Sequence, residues 1–261
     1  MTTPTPDYYR GLIGLGVDET LAEAAAEVLL NNKPYLLATT GKLASGKDTI
    51  APAVLEHLGV SNVFHLSFAN ALKDELNDIL KIAREAPSER SAVDQVVELG
   101  VREDEAQKVI DIVRESAIAD PDAHSRQRTV WVRTALQHWG TGVRRKQDTD
   151  FWVKRTAKPA AQAISEGRNI MVTDVRFPNE VKGCQALGFT VVRLEITEET
   201  QNKRLWERDK LVLSPEQRLD ASETALDGYE GFDLVIDNNG TIDEGVQKVL
   251  HFMRTRVLTP A

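Results

Sequence analysis

The sequence predicts an α/β fold in three layers, with a five-stranded parallel sheet between layers of helices. Two observations predict it. Five short apolar runs, at residues 35–40, 62–67, 169–174, 190–196 and 232–236, carry β-branched or aromatic residues and are separated by helical periodicities. Continuous apolar strands alternating with amphipathic helices form a parallel sheet covered on both faces, and its ligands lie at the carboxyl ends of the strands. The first run also leads directly into a glycine-rich turn and then a helix, the order in which a backbone closes around an anion.

The chain as a whole limits the function classes. With 261 residues it is long enough for one sizeable core with additions, and 41% hydrophobic with 28% charged residues is ordinary globular composition. No apolar run approaches the ~20 residues of a membrane helix, so no membrane partner is expected. The start, Met1-Thr2-Thr3-Pro4-Thr5-Pro6, has neither a basic nor an apolar stretch, which argues against a secretory signal. Cys184 is the single cysteine, so neither an internal disulfide nor a cysteine zinc cluster is expected. A cytoplasmic protein fits these features. The net charge of -8 argues against a polymeric nucleic acid as partner. Between Arg126 and Arg155 the sign reverses, with eight Lys or Arg against two Asp. Such a run is either a solvated helix face or a pocket for a small, highly charged anion.

Two segments read as additions to the sheet. Residues 1–33 form a helical extension, with Asp18 as N-cap before Leu21, Ala24, Ala25 and Val28. Residues 84–125 form a helical insertion within the main domain of residues 34–261, and Pro121-Asp122 marks its exit. Leu15-Gly16-Val17 and Leu99-Gly100-Val101 are alike, which shared turn and cap chemistry explains without a true repeat.

The turn after the first strand reads Gly41-Lys42-Leu43-Ala44-Ser45-Gly46-Lys47-Asp48-Thr49. Glycines are needed where the backbone turns its N–H groups inward onto phosphate oxygens, and the next helix adds its positive end. Gly41, Lys42, Ala44, Ser45, Gly46 and Lys47 are therefore the candidate cradle for ATP phosphates, with Lys47 reaching the transferring end. The usual loop has Ser or Thr after the lysine as a Mg²⁺ ligand. Here Asp48 holds that position and Thr49 follows. A carboxylate is also a hard oxygen ligand, so Asp48 and Thr49 are the candidate metal ligands; the alternative for Asp48 is an acid favoured by the helix dipole.

A phosphate loop alone does not separate kinases from hydrolases and motors. Further pieces bear on the acceptor: Lys73-Asp74 after the second strand, Arg133 and Gln137 four apart on one helix face, then Gly140-Thr141 and Asp150-Phe151-Trp152. Asp174-Val175-Arg176 ends the third strand with Glu180 beyond it, Ser222-Glu223-Thr224 precedes the last strand, and Asp237-Asn238-Asn239-Gly240-Thr241 leaves it. With these pieces, and with the Gly-Lys-Asp-Thr form of the loop, the chain resembles bacteriophage deoxynucleoside monophosphate kinases, which are P-loop enzymes. The likeness runs over about residues 35–83 and 126–250 and leaves out the extension and the insertion. It implies that Lys73, Asp74, Arg133, Gly140, Thr141, Trp152, Asp174 and Arg176 surround a nucleoside monophosphate, with Gln137 and Glu180 beside them. It also implies a homodimer, located in the host cytoplasm if the gene is a phage's, and a third basic contact for which Arg84 and Arg90 are both candidates.

Each of these residues also has a structural reading. Trp152, with Trp131 and Trp139 near it, suits a core; Arg176 suits a surface pair with Glu180; Lys73-Asp74 suits plain helix surface. The five histidines lack metal-ligand spacing. After the fourth strand, Arg204 and Arg208 share a helix face within a lid-like segment at about 198–222, where arginines close over a transferring phosphoryl group. The expected activity is transfer from ATP with Mg²⁺ to a deoxynucleoside monophosphate, using Lys47, Arg133, Asp174, Arg176 and Arg208 in catalysis. The alternatives are another small-molecule P-loop kinase and an ATP-hydrolysing switch protein.

Overall fold

The computed structural model describes residues 7–119 and 135–258. Trp131, Arg133 and the rest of the basic run before Ala135 lie outside these residues. By its own contacts the chain divides into two compact units, one of residues 1–67 and 156–261, the other of residues 68–155.

The first unit holds the sheet. Its strands are β1 (Leu36–Thr40), β2 (Val63–Leu66), β3 (Asn169–Val175), β4 (Thr190–Glu195) and β5 (Leu234–Asp237). They are all parallel, in the order β2-β3-β1-β4-β5. Every residue of β1 is buried, as a central strand with two covered faces requires. From β1 the chain passes through the helix Lys47–His57 to β2 on one side; from β3 it passes through the helix Pro178–Ala186 to β4 on the other. Right-handed crossovers in opposite directions put these helices on opposite faces. The direction reverses at β1, so its carboxyl end opens a crevice for ligand.

One face packs Leu37, Val192, Leu194 and Ile236 against Ile50, Val54 and Leu55 of the first helix and Val249, Leu250 and Met253 of the helix Ile242–Leu258. Each such side chain, fully buried, contributes roughly 1.5–3 kcal/mol, enough to hold β1 and the loop after it as a rigid base. The β1–β3 register slips between Ala38 and Thr40, so that Thr40 faces Val175. A slip of this kind re-aims the side chain beside it, here Asp174.

At the N-terminal end the helices Asp7–Gly14 and Glu19–Asn31 precede the sheet, and the Asp18 carboxylate accepts from the Leu21 N–H at 3.0 Å. The first helix touches Pro178–Ala186 so closely that a Cβ on Gly11 would lie 2.6 Å from the Ala186 carbonyl oxygen. Gly16 and Gly100 each follow a helix with φ of 82° and 83°, the shared turn chemistry behind the two similar tripeptides.

The second unit is helical: Phe68–Glu85, Glu89–Val97, Glu103–Ala119, a π-helical stretch His138–Arg144 running into Arg145–Gln147, and the first turn of Phe151–Ser165. Ile79, Val93, Val96, Val109, Ile110, Trp139, Val143 and Trp152 are buried in it. The wider π turn places Trp139, Gly140, Val143 and Arg144 together on the buried side. Gly140 lies against Leu72, where a Cβ would come within 2.7 Å of a leucine methyl.

Candidate nucleotide site

The carboxyl end of β1 opens into the phosphate loop. Gly41 (φ 155°) and Gly46 (φ 94°) hold backbone conformations that other residues rarely adopt. Both are also hemmed in: a Cβ on Gly41 would lie 2.7 Å from the Leu194 carbonyl oxygen, and one on Gly46 would lie 2.8 Å from Asn238 Nδ2. Even Ala44 is left-handed, with φ 62°. Strain of this kind persists where the surroundings over-determine it. Here they do. Gln201 Nε2 donates to the Leu43 carbonyl (3.0 Å), Asn238 Nδ2 to the Ser45 carbonyl (2.7 Å), and the Leu43 N–H to the Glu223 carboxylate (2.8 Å). Lys42 forms an ion pair with Asp227 at 3.1 Å.

Lys47 begins the next helix and is only 4% exposed. Burial pushes its pKa down, and Arg176 and Arg208 push the same way against the carboxylates of Asp48 and Glu223. A buried cation with cationic neighbours favours an anion beside it, which would offset the cost of burying its charge. Asp48 Oδ2 lies 3.8 Å from Lys47 Nζ, with its side chain 70% exposed. Asp48 and Thr49, both exposed, thus offer a carboxylate and a hydroxyl on adjacent residues at the start of the helix. This hard-oxygen pair fits Mg²⁺, which the kinase fold implies. Ser45 Oγ is buried without a hydrogen-bond partner.

Beside the loop stand the ends of β3 and its continuation. Asp174 accepts from the Ser67 hydroxyl at 2.7 Å. Arg176 follows the strand, and its backbone N–H donates to Glu180 Oε2 at 2.7 Å. Glu180 is 1% exposed and also accepts from the Phe177 N–H at 3.1 Å, so its carboxylate caps the helix Pro178–Ala186 and fixes the backbone that presents Arg176. One terminal nitrogen of Arg176 donates to the Ser222 carbonyl (2.9 Å) and to Glu223 Oε1 (2.8 Å).

The two arginines of the lid-like segment differ. In the helix Glu198–Asp209, Arg204 donates to the backbone carbonyls of Asn238 (2.8 Å) and Gly240 (3.1 Å) and approaches those of Ala44 and Ser45. Arg208 is 58% exposed and closes on its neighbour Asp209 at 2.6 Å. Arg204 is thus bound to the rim of the loop, while Arg208, among the described residues, hydrogen-bonds only to Asp209.

In the second unit, Lys73 and Asp74 are exposed on the helix Phe68–Glu85, and Gln137 and Thr141 are exposed around the π-helical stretch. Trp152 is 2% exposed, and its indole N–H donates to the Gly140 carbonyl at 3.1 Å, so its ring is packed inside this unit. Arg84 and Arg90 both belong to this unit; Arg90 pairs with Asp94 at 2.9 Å and with Glu103. His57 Nδ1 meets the Ala53 carbonyl at 2.8 Å, and His65 Nε2 meets the Thr173 hydroxyl at 3.4 Å. Among the described residues no group of three or more His, Cys, Asp or Glu is placed to hold a metal. No described helix is long and apolar enough to cross a membrane.

Glu223 and Asn238 stand in runs that the sequence singles out, and Gln201 in the lid-like segment, but the sequence assigns no individual role to them or to Asp227; in the fold all four brace the loop. Glu223 and Leu43 are 180 positions apart, so no local spacing could have paired them.

Strand order, phosphate loop and buried lysine define a class, the phosphate-loop α/β proteins. The family within it comes from comparison. Residues 70–249, well over half the chain, match the family model described as deoxynucleotide monophosphate kinase, and the chain belongs to that family. The match begins after the phosphate loop and takes in all the acceptor-side candidates. The chain is also similar to "Uncharacterized protein ORF77" of Ictalurid herpesvirus 1 (strain Auburn), with 30% identity over 110 residues. That stretch is 42% of each chain, so the chain spans about two fifths of the length of this curated relative.

Proposed function

We propose that this protein is a deoxynucleoside monophosphate kinase that transfers the γ-phosphoryl group of ATP to a dNMP, giving dNDP and ADP. The observation that carries the reading is the buried Lys47 inside a strained, fully braced phosphate loop, in a chain whose residues 70–249 match this kinase family. A monophosphate oxygen attacks the γ-phosphorus, and the bond from that phosphorus to the β–γ bridging oxygen breaks as ADP leaves. The attacking oxygen is already anionic, so no strong general base is required. The protein's share is positioning and charge neutralisation.

Lys47 and the N–H groups of the loop hold the donor phosphates. Asp48 and Thr49 are the oxygens that would hold Mg²⁺, which when bound neutralises charge on the phosphates. Arg176 supplies a permanently charged fork for phosphate oxygens, and Arg133 is assigned the same task from the resemblance. Asp174 is the carboxylate that would orient a sugar hydroxyl, or a water once Mg²⁺ is bound. Lys73, Asp74, Gln137, Gly140 and Thr141 are assigned to the acceptor, with Trp152 holding Gly140 in place. Arg208 is the arginine to close over the transferring group, and Arg204 fixes the loop beneath it. The protein works in solution, as a homodimer by the resemblance.

The test is a screen of the ribo- and deoxymonophosphates of the four bases with ATP and Mg²⁺, reading ADP release. ADP release that depends on an added deoxymonophosphate is expected. ADP release that is the same without any acceptor would replace the kinase by an ATP-hydrolysing switch, and dependence on a different phosphorylated metabolite would replace the substrate.

A further inference from the structure

Glu223 stands on the short helix Ala221–Thr224, before β5, and its two carboxylate oxygens are used on different parts of the donor–acceptor machinery. Oε2 accepts from the Leu43 N–H of the phosphate loop at 2.8 Å. Oε1 accepts from a terminal nitrogen of Arg176 at 2.8 Å. The same nitrogen donates to the neighbouring Ser222 carbonyl at 2.9 Å. Arg176 is thereby held by one corner of its guanidinium. Its Nε and second terminal nitrogen make no hydrogen bond to the described residues, and the side chain remains 29% exposed. A guanidinium gripped at one corner, with the opposite edge open, is preset for two parallel bonds to a phosphate. Glu223 itself is only 11% exposed, so its charge acts where water screens little.

We infer that Glu223 is a positioning residue that sets Arg176 in register with the phosphate loop, so that one carboxylate aligns the acceptor contact with the donor cradle. This rests on the reading of Arg176 as a contact to the monophosphate. Glu223 does not touch the reacting atoms; it acts through Arg176 on one side and the Leu43 amide on the other. Both oxygens must be acceptors. Glutamine, with the same shape, has one oxygen and one NH₂, and the NH₂ would face a donor on whichever side it took.

The experiment compares Glu223→Gln, Arg176→Ala and the double variant by titration with a deoxymonophosphate, alongside steady-state kinetics and thermal unfolding. Glu223→Gln is expected to weaken monophosphate binding by about tenfold, the size of one charge-assisted hydrogen bond. In the Arg176→Ala background the same change should add less than about twofold, because its route to the acceptor is gone. A structural role alone would produce losses that add in the double variant, and that result overturns the inference. So does a Glu223→Gln protein that binds monophosphate as wild type does. Should Glu223→Gln fail to fold, Glu223→Asp takes its place; it keeps the charge but is one methylene too short to reach both partners. Wild-type protein that shows no monophosphate-dependent turnover would instead remove the kinase reading itself, an outcome separate from the loss of this inference.

Discussion

Each unit of this protein contains an arginine paired with a glutamate, and the two pairs do different work. Arg144 and Glu75, in the helical unit, are 5% and 7% exposed. The Arg144 guanidinium lies between the rings of Trp139 (4.8 Å) and Phe151 (4.7 Å) and donates to the Leu99 carbonyl at 3.0 Å. Glu75 also accepts from the Trp139 indole N–H at 2.9 Å. All three guanidinium nitrogens of Arg144 donate within the helical unit. The pair clamps the π-helical stretch to the helix Phe68–Glu85, and so fixes the surfaces that carry Thr141, Lys73 and Asp74. Arg176 and Glu223, in the sheet unit, are joined by a single corner with the other edge open. The difference lies in how many of the arginine's donors the fold uses. A fully used guanidinium is architecture, and a partly used one is available to a phosphate.

The comparison breaks most sharply under Arg144→Ala. Removing one partner of a buried pair leaves Glu75 charged and uncompensated, and unfolding stability should drop by about 3–5 kcal/mol, read by denaturant titration. Replacing both partners by Met and Leu should recover much of that loss, because the penalty belongs to the orphaned charge. If Arg144→Ala leaves stability intact, the clamp is an illusion of geometry.

Next in size is Lys47→Ala, which should lower turnover about a hundredfold or more, as loss of a preorganised transition-state contact does. Burial depresses the Lys47 pKa, whereas bound polyphosphate favours its charged form and raises it again. In alkaline buffer, between the depressed value and the ~10.4 of a free lysine, nucleotide binding should therefore take up protons. Calorimetry in buffers of different ionisation enthalpy reads this uptake, and it should vanish in Lys47→Ala.

Arg176→Ala is the counterpart to Arg144→Ala. It should cost about 1.5–3 kcal/mol in kcat/KM for the monophosphate, with ATP affinity and unfolding temperature nearly unchanged. The same result is expected for Arg133→Ala. Normal monophosphate kinetics in both variants would remove the acceptor assignment.

Arg208→Ala should lower the single-turnover transfer rate by about tenfold, the lower end for a charged contact, while leaving both dissociation constants within a few-fold. An unchanged rate would leave that helix as surface. The smallest effect is expected at Asp48. Asp48→Ala should raise the Mg²⁺ concentration needed for half-maximal rate, and Asp48→Ser should restore part of it. An unchanged Mg²⁺ dependence in Asp48→Ala would make Asp48 a helix cap.

The sequence by itself determined the sheet and the loop. Five apolar runs gave five strands to within two residues at each end, because the central strands are buried on both faces and read as short, nearly continuous apolar runs. The Gly41 to Thr49 motif was legible because its main constraints are local: the positive-φ glycines and the helix start fall within nine residues. The N-cap at Asp18 was legible for the same reason. Tertiary structure decided what each charged side chain is spent on. Glu180 reads in sequence as a partner for Arg176's charge, but it holds the backbone N–H of Arg176 instead. Arg204 and Arg208 are equivalent by spacing, yet one is bound to carbonyls at the end of β5 and the other to its neighbour Asp209. Glu223 lies in the Ser222-Glu223-Thr224 run without a role that the sequence assigns, and its two partners, Leu43 and Arg176, lie 180 and 47 positions away. A carboxylate's worth depends on which donors come within about 3 Å of it, and for partners so distant in the chain only the folded sheet sets that distance.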